Sequence, residues 1–102
     1  MNEVTDMISV QELADKRGWA CEICGHATVY LERHHCLVHR RKGHPEFDDE
    51  RNLEMLCSIC HEKYANSFEH KREFWAIQLT RYPDMREWYA SLPTRYRKES
   101  FD

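Results

Sequence analysis

A chain of 102 residues with a formal net charge of −3 suits one compact domain, and its charge balance argues against a uniformly basic nucleic-acid binder. The longest unbroken apolar run, residues 74–77, is far too short to span a bilayer. Residues 1–10 carry acidic side chains and no leader-like apolar stretch, so the five cysteines are expected in the reducing cytoplasm, bound to metal rather than paired as disulfides.

In chain order, Ser9 and Glu12 form a capping-box pattern that opens a helix over about 9–18, closed by Gly18 in a left-handed conformation. Val10, Leu13 and Ala14 give that helix its buried stripe, and Trp19 is expected to pack at the junction that follows. Cys21, Cys24 and Gly25 then read as a metal knuckle, with Gly25 supplying the backbone freedom of the turn and His26 exposed or beside the ligands. Residues 27–38 alternate and are rich in β-branched and aromatic types, the pattern of an extended strand whose far end carries His34 and His35. Neighbours in a regular strand point to opposite faces, so the two imidazoles can serve one site only if the strand bends or ends there.

Charge is segregated in the next stretch: His39, Arg40, Arg41 and Lys42 form a positive block, and Glu46, Asp48, Asp49 and Glu50 a negative one. With Gly43 and Pro45 among them, residues 39–51 are expected to be a surface loop. Residues 53–56 make a second strand antiparallel to the first. The second knuckle, Cys57 and Cys60, opens a helix running through His61 and Tyr64 to about residue 66. Beyond it the pattern is helical over about 68–92, with Tyr64, Phe68, Trp75, Leu79 and Tyr82 near one face. Pro83 starts a last short helix with Met85, Trp88, Tyr89 and Leu92 as its stripe, and Pro93 ends it. Residues 94–102 are expected to be a basic, loosely held tail.

Two Cys-x-x-Cys pairs in so short a chain most often make a closed tetrahedral zinc site, because thiolates two residues apart on a tight turn can face one small cation. Cys21, Cys24, Cys57 and Cys60 are the expected ligands of a structural Zn2+. Cys36 is left over and is expected to be a small buried hydrophobe. The segment between the knuckles is longer than a zinc ribbon needs, and it carries His34, His35 and Asn52, with His61 directly after the last cysteine.

That ordered set, a His pair, then Asn in the run NLEMLCSIC, then His after the final cysteine, resembles the HNH endonuclease family in its four-cysteine, zinc-containing form. The resemblance covers residues 21–63. It implies an α+β fold, a zinc-stapled ββα-metal core over about 21–66 flanked by the N-terminal and C-terminal helices, all in one nuclease domain of residues 1–102. It also implies roles: His35 as the general base that activates water, His34 and His61 as ligands of one catalytic divalent ion, and Asn52 as the residue that orients the base or its loop. The implied substrate is double-stranded DNA, hydrolysed at its phosphodiester bonds by nicking or full cleavage. Many relatives carry Asp at the position of His34. A pair of imidazole ligands favours Mn2+, Ni2+, Co2+ or Zn2+ over Mg2+ relative to them.

The chemistry has an independent logic. Phosphodiester hydrolysis needs a nucleophilic water, neutralised phosphate charge and a stabilised leaving oxygen, and one divalent ion serves the last two. Imidazole, with an ordinary pKa near 6.5, takes a proton at neutral pH, so one histidine must stay off the metal. Arg33, Arg40, Arg41 and Lys42 are candidate phosphate contacts, against the alternative of a solvated loop balancing the acidic block. Glu32 either bonds an arginine, orients a histidine or stands as an exposed strand charge. The competing functional reading is a non-catalytic zinc module that binds nucleic acid or protein.

Overall fold

The computed structural model describes residues 7–64 and 66–101. Among the described residues, four α-helices accompany a two-stranded antiparallel sheet: α1 (Val10–Arg17), β1 (Glu32–His35), β2 (Leu53–Leu56), α2 (Ser58–Tyr64), α3 (Phe68–Arg81) and α4 (Met85–Ser91). Single 3-10 turns at Pro45–Asp48 and Glu50–Asn52 lie between the strands, and a third at Thr94–Tyr96 follows α4. Among the described residues, no helix is long and apolar enough to cross a membrane.

The capping box at α1 forms as the sequence indicates. The Ser9 hydroxyl accepts from the Glu12 amide at 3.0 Å, and the Glu12 carboxylate accepts from the Ser9 amide at 3.4 Å. Gly18 ends the helix with φ 106° and ψ 149°, a positive-φ extended geometry rather than the left-handed helical one expected, so the chain leaves α1 at once. Trp19 does not pack at the junction: it is 37% exposed and lies along α1 with its indole N–H donating to Asp15 at 2.9 Å.

The first strand is much shorter than its alternating sequence suggests. β1 pairs with β2 from Glu32 opposite Leu56 to His35 opposite Leu53, and β2 offers only those four positions before the chain turns into α2. Upstream, an isolated bridge between Ala20 and Ala27 closes the first cysteine turn. The Thr28 hydroxyl then captures the Tyr30 amide at 3.0 Å, a local bond that competes with a ladder. Val29 and Tyr30 consequently stand in solvent, 67% and 82% exposed.

Every residue of β2 is buried, and the buried apolar side chains of the fold gather in two clusters. One joins Leu13 and Ala14 of α1 to Leu53, Met55 and Leu56 beside Cys21 and Cys60. The other joins residues 36–38 and Phe47 to α3, α4 and the C-terminal segment. Phe47 is fully buried, so residues 39–51 are not merely a surface loop. Their 3-10 turns deliver one aromatic ring to the core, where it stacks on His44 and meets Tyr96 edge-on.

The buried face of α3 consists of His70, Lys71, Phe74, Trp75 and Gln78. Phe68 is 42% exposed and Leu79 and Tyr82 are half-buried, a rotation of the expected stripe, because α3 must also present polar groups to β2 and to the 3-10 turn before it. Gln78 donates to the Arg51 carbonyl at 2.9 Å. On α4, Met85, Trp88 and Leu92 are buried and Tyr89 packs against them, as the spacing indicates. The final segment is not loose: Phe101 is 6% exposed, with its ring 5.6 Å from Trp75 and 5.5 Å from Tyr89. An apolar anchor one residue from the end overrides the basic residues before it.

Arg17 ties these parts together. Its guanidinium, almost wholly buried, donates to the Leu53 and Glu50 carbonyls, to Glu22 and to the Tyr82 hydroxyl. One side chain thus links α1, the first knuckle, β2 and the end of α3.

Candidate metal and catalytic centre

The two knuckles converge at one end of the sheet. Gly25, at φ 77°, turns the chain back so that its amide meets the Cys21 carbonyl at 2.9 Å. The Glu22 amide bonds the Met55 carbonyl at 2.9 Å, fixing this turn to β2, while Cys57 and Cys60 sit at the entry to α2. The four sulfurs lie within 4.8 Å of one another, and Cys24 and Cys57 are 3.9 Å apart. A tetrahedron with metal–sulfur bonds of about 2.3 Å has edges of roughly 3.8 Å. The cluster therefore fits a metal ion such as zinc.

The thiol chemistry agrees with the geometry. Burial pushes the Cys21 thiol up, but amide hydrogen bonds around the cluster outweigh it and bring the group down to about 7. Cys60 is pushed up to about 12 by burial and by the neighbouring sulfurs. Four sulfurs so placed ionise together only around a cation.

At the other side of the sheet, the strand ends where two imidazoles must diverge. His34 and His35 line one open cleft of about 500 Å3 together with Glu32, Arg33, His39, Arg40 and His61. The His34 and His61 ring centroids are 4.9 Å apart, tilted by 54°. His61 holds its position through Nδ1, 2.7 Å from Glu32 Oε1; an N–H donated there leaves Nε2 as the lone-pair nitrogen. Glu32 thus orients a histidine, one of the roles left open for it. His34 is 6% exposed, and its Nε2 is buried without a hydrogen-bond partner among the described residues. Burial, reinforced by His61 and other nearby histidines, pulls its pKa down to about 4, so the ring is neutral at pH 7 and able to ligate.

His35, in the lining of the same cleft, is held by a carboxylate. Its Nε2 lies 2.8 Å from Asp48 Oδ1, which the 3-10 turn at Pro45–Asp48 presents. Asn52 is fully buried and fixes the intervening loop. Its Oδ1 accepts from the Leu37 and Val38 amides at 2.9 and 3.0 Å, and its Nδ2 donates to the Val38 and Phe47 carbonyls at 2.8 and 2.7 Å. With Cys36 N bonded to the Asn52 carbonyl at 2.9 Å, this one residue sets where the chain departs from His35.

The candidate phosphate contacts separate. Arg33 donates to the Ile8 carbonyl at 2.7 Å and Arg40 lines the cleft, whereas Arg41 lies over the Tyr96 ring at 5.2 Å and Lys42 is exposed on the turn. Cys36 is buried, and burial with nearby Glu54 drives its thiol far above the ordinary range. It lies with His34 and Glu54 within 4.8 Å.

Sequence reasoning missed two partners. Asp48 sits among four carboxylates with nothing in the sequence to single it out. Glu54 and His70 form a buried pair at 2.7 Å; the one available signal was a lone Glu inside the otherwise apolar run of residues 53–56. Comparisons of the chain with known protein families, with curated proteins and with solved structures find no match.

Proposed function

We propose that the protein is a metal-dependent endonuclease of the HNH type that hydrolyses DNA phosphodiester bonds. The observation that carries this reading is His34, whose Nε2 is buried without a partner among the described residues and whose ring stands 4.9 Å from that of His61, in the lining of a cleft that also contains His35. A buried polar atom without a partner requires an explanation, and a divalent ion shared with His61 supplies one. In this reading Cys21, Cys24, Cys57 and Cys60 hold a structural zinc that takes no part in the reaction.

The chain's own groups then divide the work. His34 and His61 hold the catalytic ion, with Glu32 fixing the His61 tautomer. Once bound, the ion neutralises charge on the scissile phosphate and stabilises the leaving oxygen. His35 stays off the metal and takes the proton from water. With Asp48 accepting from Nε2, the lone pair is on Nδ1, and the carboxylate stabilises the imidazolium that forms. Asn52 acts on position alone, holding the loop that sets the directions of His35 and Asp48.

The test is nicking of supercoiled plasmid by purified, zinc-loaded protein across Mn2+, Ni2+, Co2+ and Mg2+. His35→Ala is expected to lower the rate by about 10²- to 10⁴-fold, the scale of a lost general base, and Asp48→Asn by less, with zinc content and melting temperature unchanged. The wild-type protein should take up a second ion, which His34→Ala abolishes. Full activity in His35→Ala would remove the base from the mechanism. One bound ion and no cleavage with any metal would leave a zinc-bound binding module instead.

A further inference from the structure

Beside the histidine cleft runs a second groove of about 520 Å3, walled on one side by residues 37–41 and on the other by the C-terminal segment, with Lys71 of α3 in its lining. His39 and Arg40 line both, so the two are neighbours. The groove brings together cations distant in sequence: Arg40 and Arg41 before the acidic block, Arg95 and Lys98 near the end of the chain.

Although the chain carries a net −3, its charges are not evenly neutralised. Glu22 is paired with Arg17 and Arg81, Glu50 with Lys16, and Asp49 and Asp84 with Arg51. Arg40, Arg41, Arg95 and Lys98 form no ion pair among the described residues. Lys71, 8% exposed, has only Glu99 at 3.6 Å. Four cations without an ion pair thus line this one groove.

The groove is built rather than incidental. Tyr96 carries both Arg41 and Arg95, whose guanidinium carbons lie 5.2 and 4.9 Å from its ring centroid. Tyr96 in turn is set by Phe47 and His44, with centroids at 5.2 and 4.9 Å. Just beyond, Phe101 pins the end of the segment in the aromatic core. Holding two guanidiniums together costs mutual repulsion, which a bound anion relieves and a shared aromatic ring tempers.

We infer that this groove is a track for the phosphodiester backbone of duplex DNA flanking the cut site, with Arg95 and Lys98 as phosphate-binding residues supplied by the C-terminal segment. The cut site's location rests on the nuclease reading above. Guanidinium and ammonium groups in a row suit a regularly charged polymer. Tyr96, the aromatic in the groove, is occupied in supporting arginines, so no ring face is offered for stacking an unpaired base. That favours a duplex over single-stranded nucleic acid.

The experiment is fluorescence anisotropy of a labelled duplex with full-length, zinc-loaded protein and no added divalent ion. Arg95→Gln/Lys98→Gln is expected to raise Kd roughly tenfold and to reduce the slope of log K against log salt by about two. Arg95→Lys/Lys98→Arg should bind like wild type, as should Lys16→Gln, which removes a charge outside the groove. Thermal melts of each variant exclude misfolding as the cause. An unchanged Kd and salt slope in the double Gln variant would overturn the track, even where wild-type protein cleaves plasmid. Weakened duplex binding in that variant, together with no cleavage by wild type under any metal, would keep the track and remove the nuclease. Stronger competition by single-stranded RNA or DNA than by duplex would overturn the choice of occupant.

Discussion

The two apolar clusters of the fold are made of different material. Around the four sulfurs the buried side chains are aliphatic and few, with Leu13, Ala14, Leu53, Met55 and Leu56 at their centre. Around α3 and α4 they are large and aromatic: Phe47, Phe74, Trp75, Trp88 and Phe101. An aromatic ring buries about 150–250 Å2, so the second region closes by packing alone. The first contains two short turns and two strands of four residues each, too little to hold itself, and in it four sulfurs stand close enough to share an ion. The first region thus has four sulfurs placed to hold a metal ion where the second has ring packing.

The sharpest way to break that asymmetry is Cys57→Ser. Removal of one thiolate from a four-sulfur site forfeits a large part of a binding free energy of about 10–16 kcal/mol in zinc-dependent folds. The melting temperature is expected to fall by more than about 10 °C, with loss of bound zinc. An unchanged melt would refute the metal dependence of the first region. Phe101→Ala is the matched change on the other side. It should cost about 3 kcal/mol, typical of a buried ring replaced by a methyl, while zinc content stays at that of wild type. Loss of zinc in Phe101→Ala would show the two regions to be one cooperative unit.

How far the sequence foretold this differs between the regions for a physical reason. The knuckles, the capping box and the short strand at residues 53–56 were legible, since each depends on residues close in sequence: Cys21 with Cys24, Ser9 with Glu12, Cys57 with Cys60. The extent of β1 was not, because a strand is as long as its partner, and β2 has only four residues before α2. The fates of Trp19, Phe47 and Phe101 were likewise hidden. Whether an aromatic ring enters a core depends on what lies opposite it, and Phe101 finds Trp75 and Tyr89 only after α3 and α4 have folded back. In the cleft, the ring types and their order were legible, but Asp48 as the partner of His35 was not. Its selection over Glu46 or Asp49 is made by the direction of one 3-10 turn.

The smallest expected effect lies at the seam between the regions, where β2 meets α3 through Glu54 and His70. His70 Nε2 stands 2.7 Å from both Glu54 oxygens, and Glu54 is 1% exposed. The hydrogen bond that His70 donates to Glu54 raises the His70 pKa above its ordinary value against the opposing effect of burial. Burial raises that of Glu54, outweighing the bond from His70. Both groups hold protons more tightly folded than unfolded, so both lend stability at low pH that is lost as pH rises. For His70 the contribution is complete below its unfolded pKa near 6.5 and disappears as pH climbs through the raised folded value. His70→Gln, which keeps a donor near Glu54, should therefore cost about 1–2 kcal/mol at about pH 6, the scale of one hydrogen bond to a charged group. In urea unfolding, the gap to wild type should narrow toward about pH 9. Because other titrating groups are shared by both proteins, His34 among them, the difference isolates the seam. A gap that widened with pH would mean that folding lowers the His70 pKa, so that burial outweighs the bond to Glu54 and the ring is held neutral.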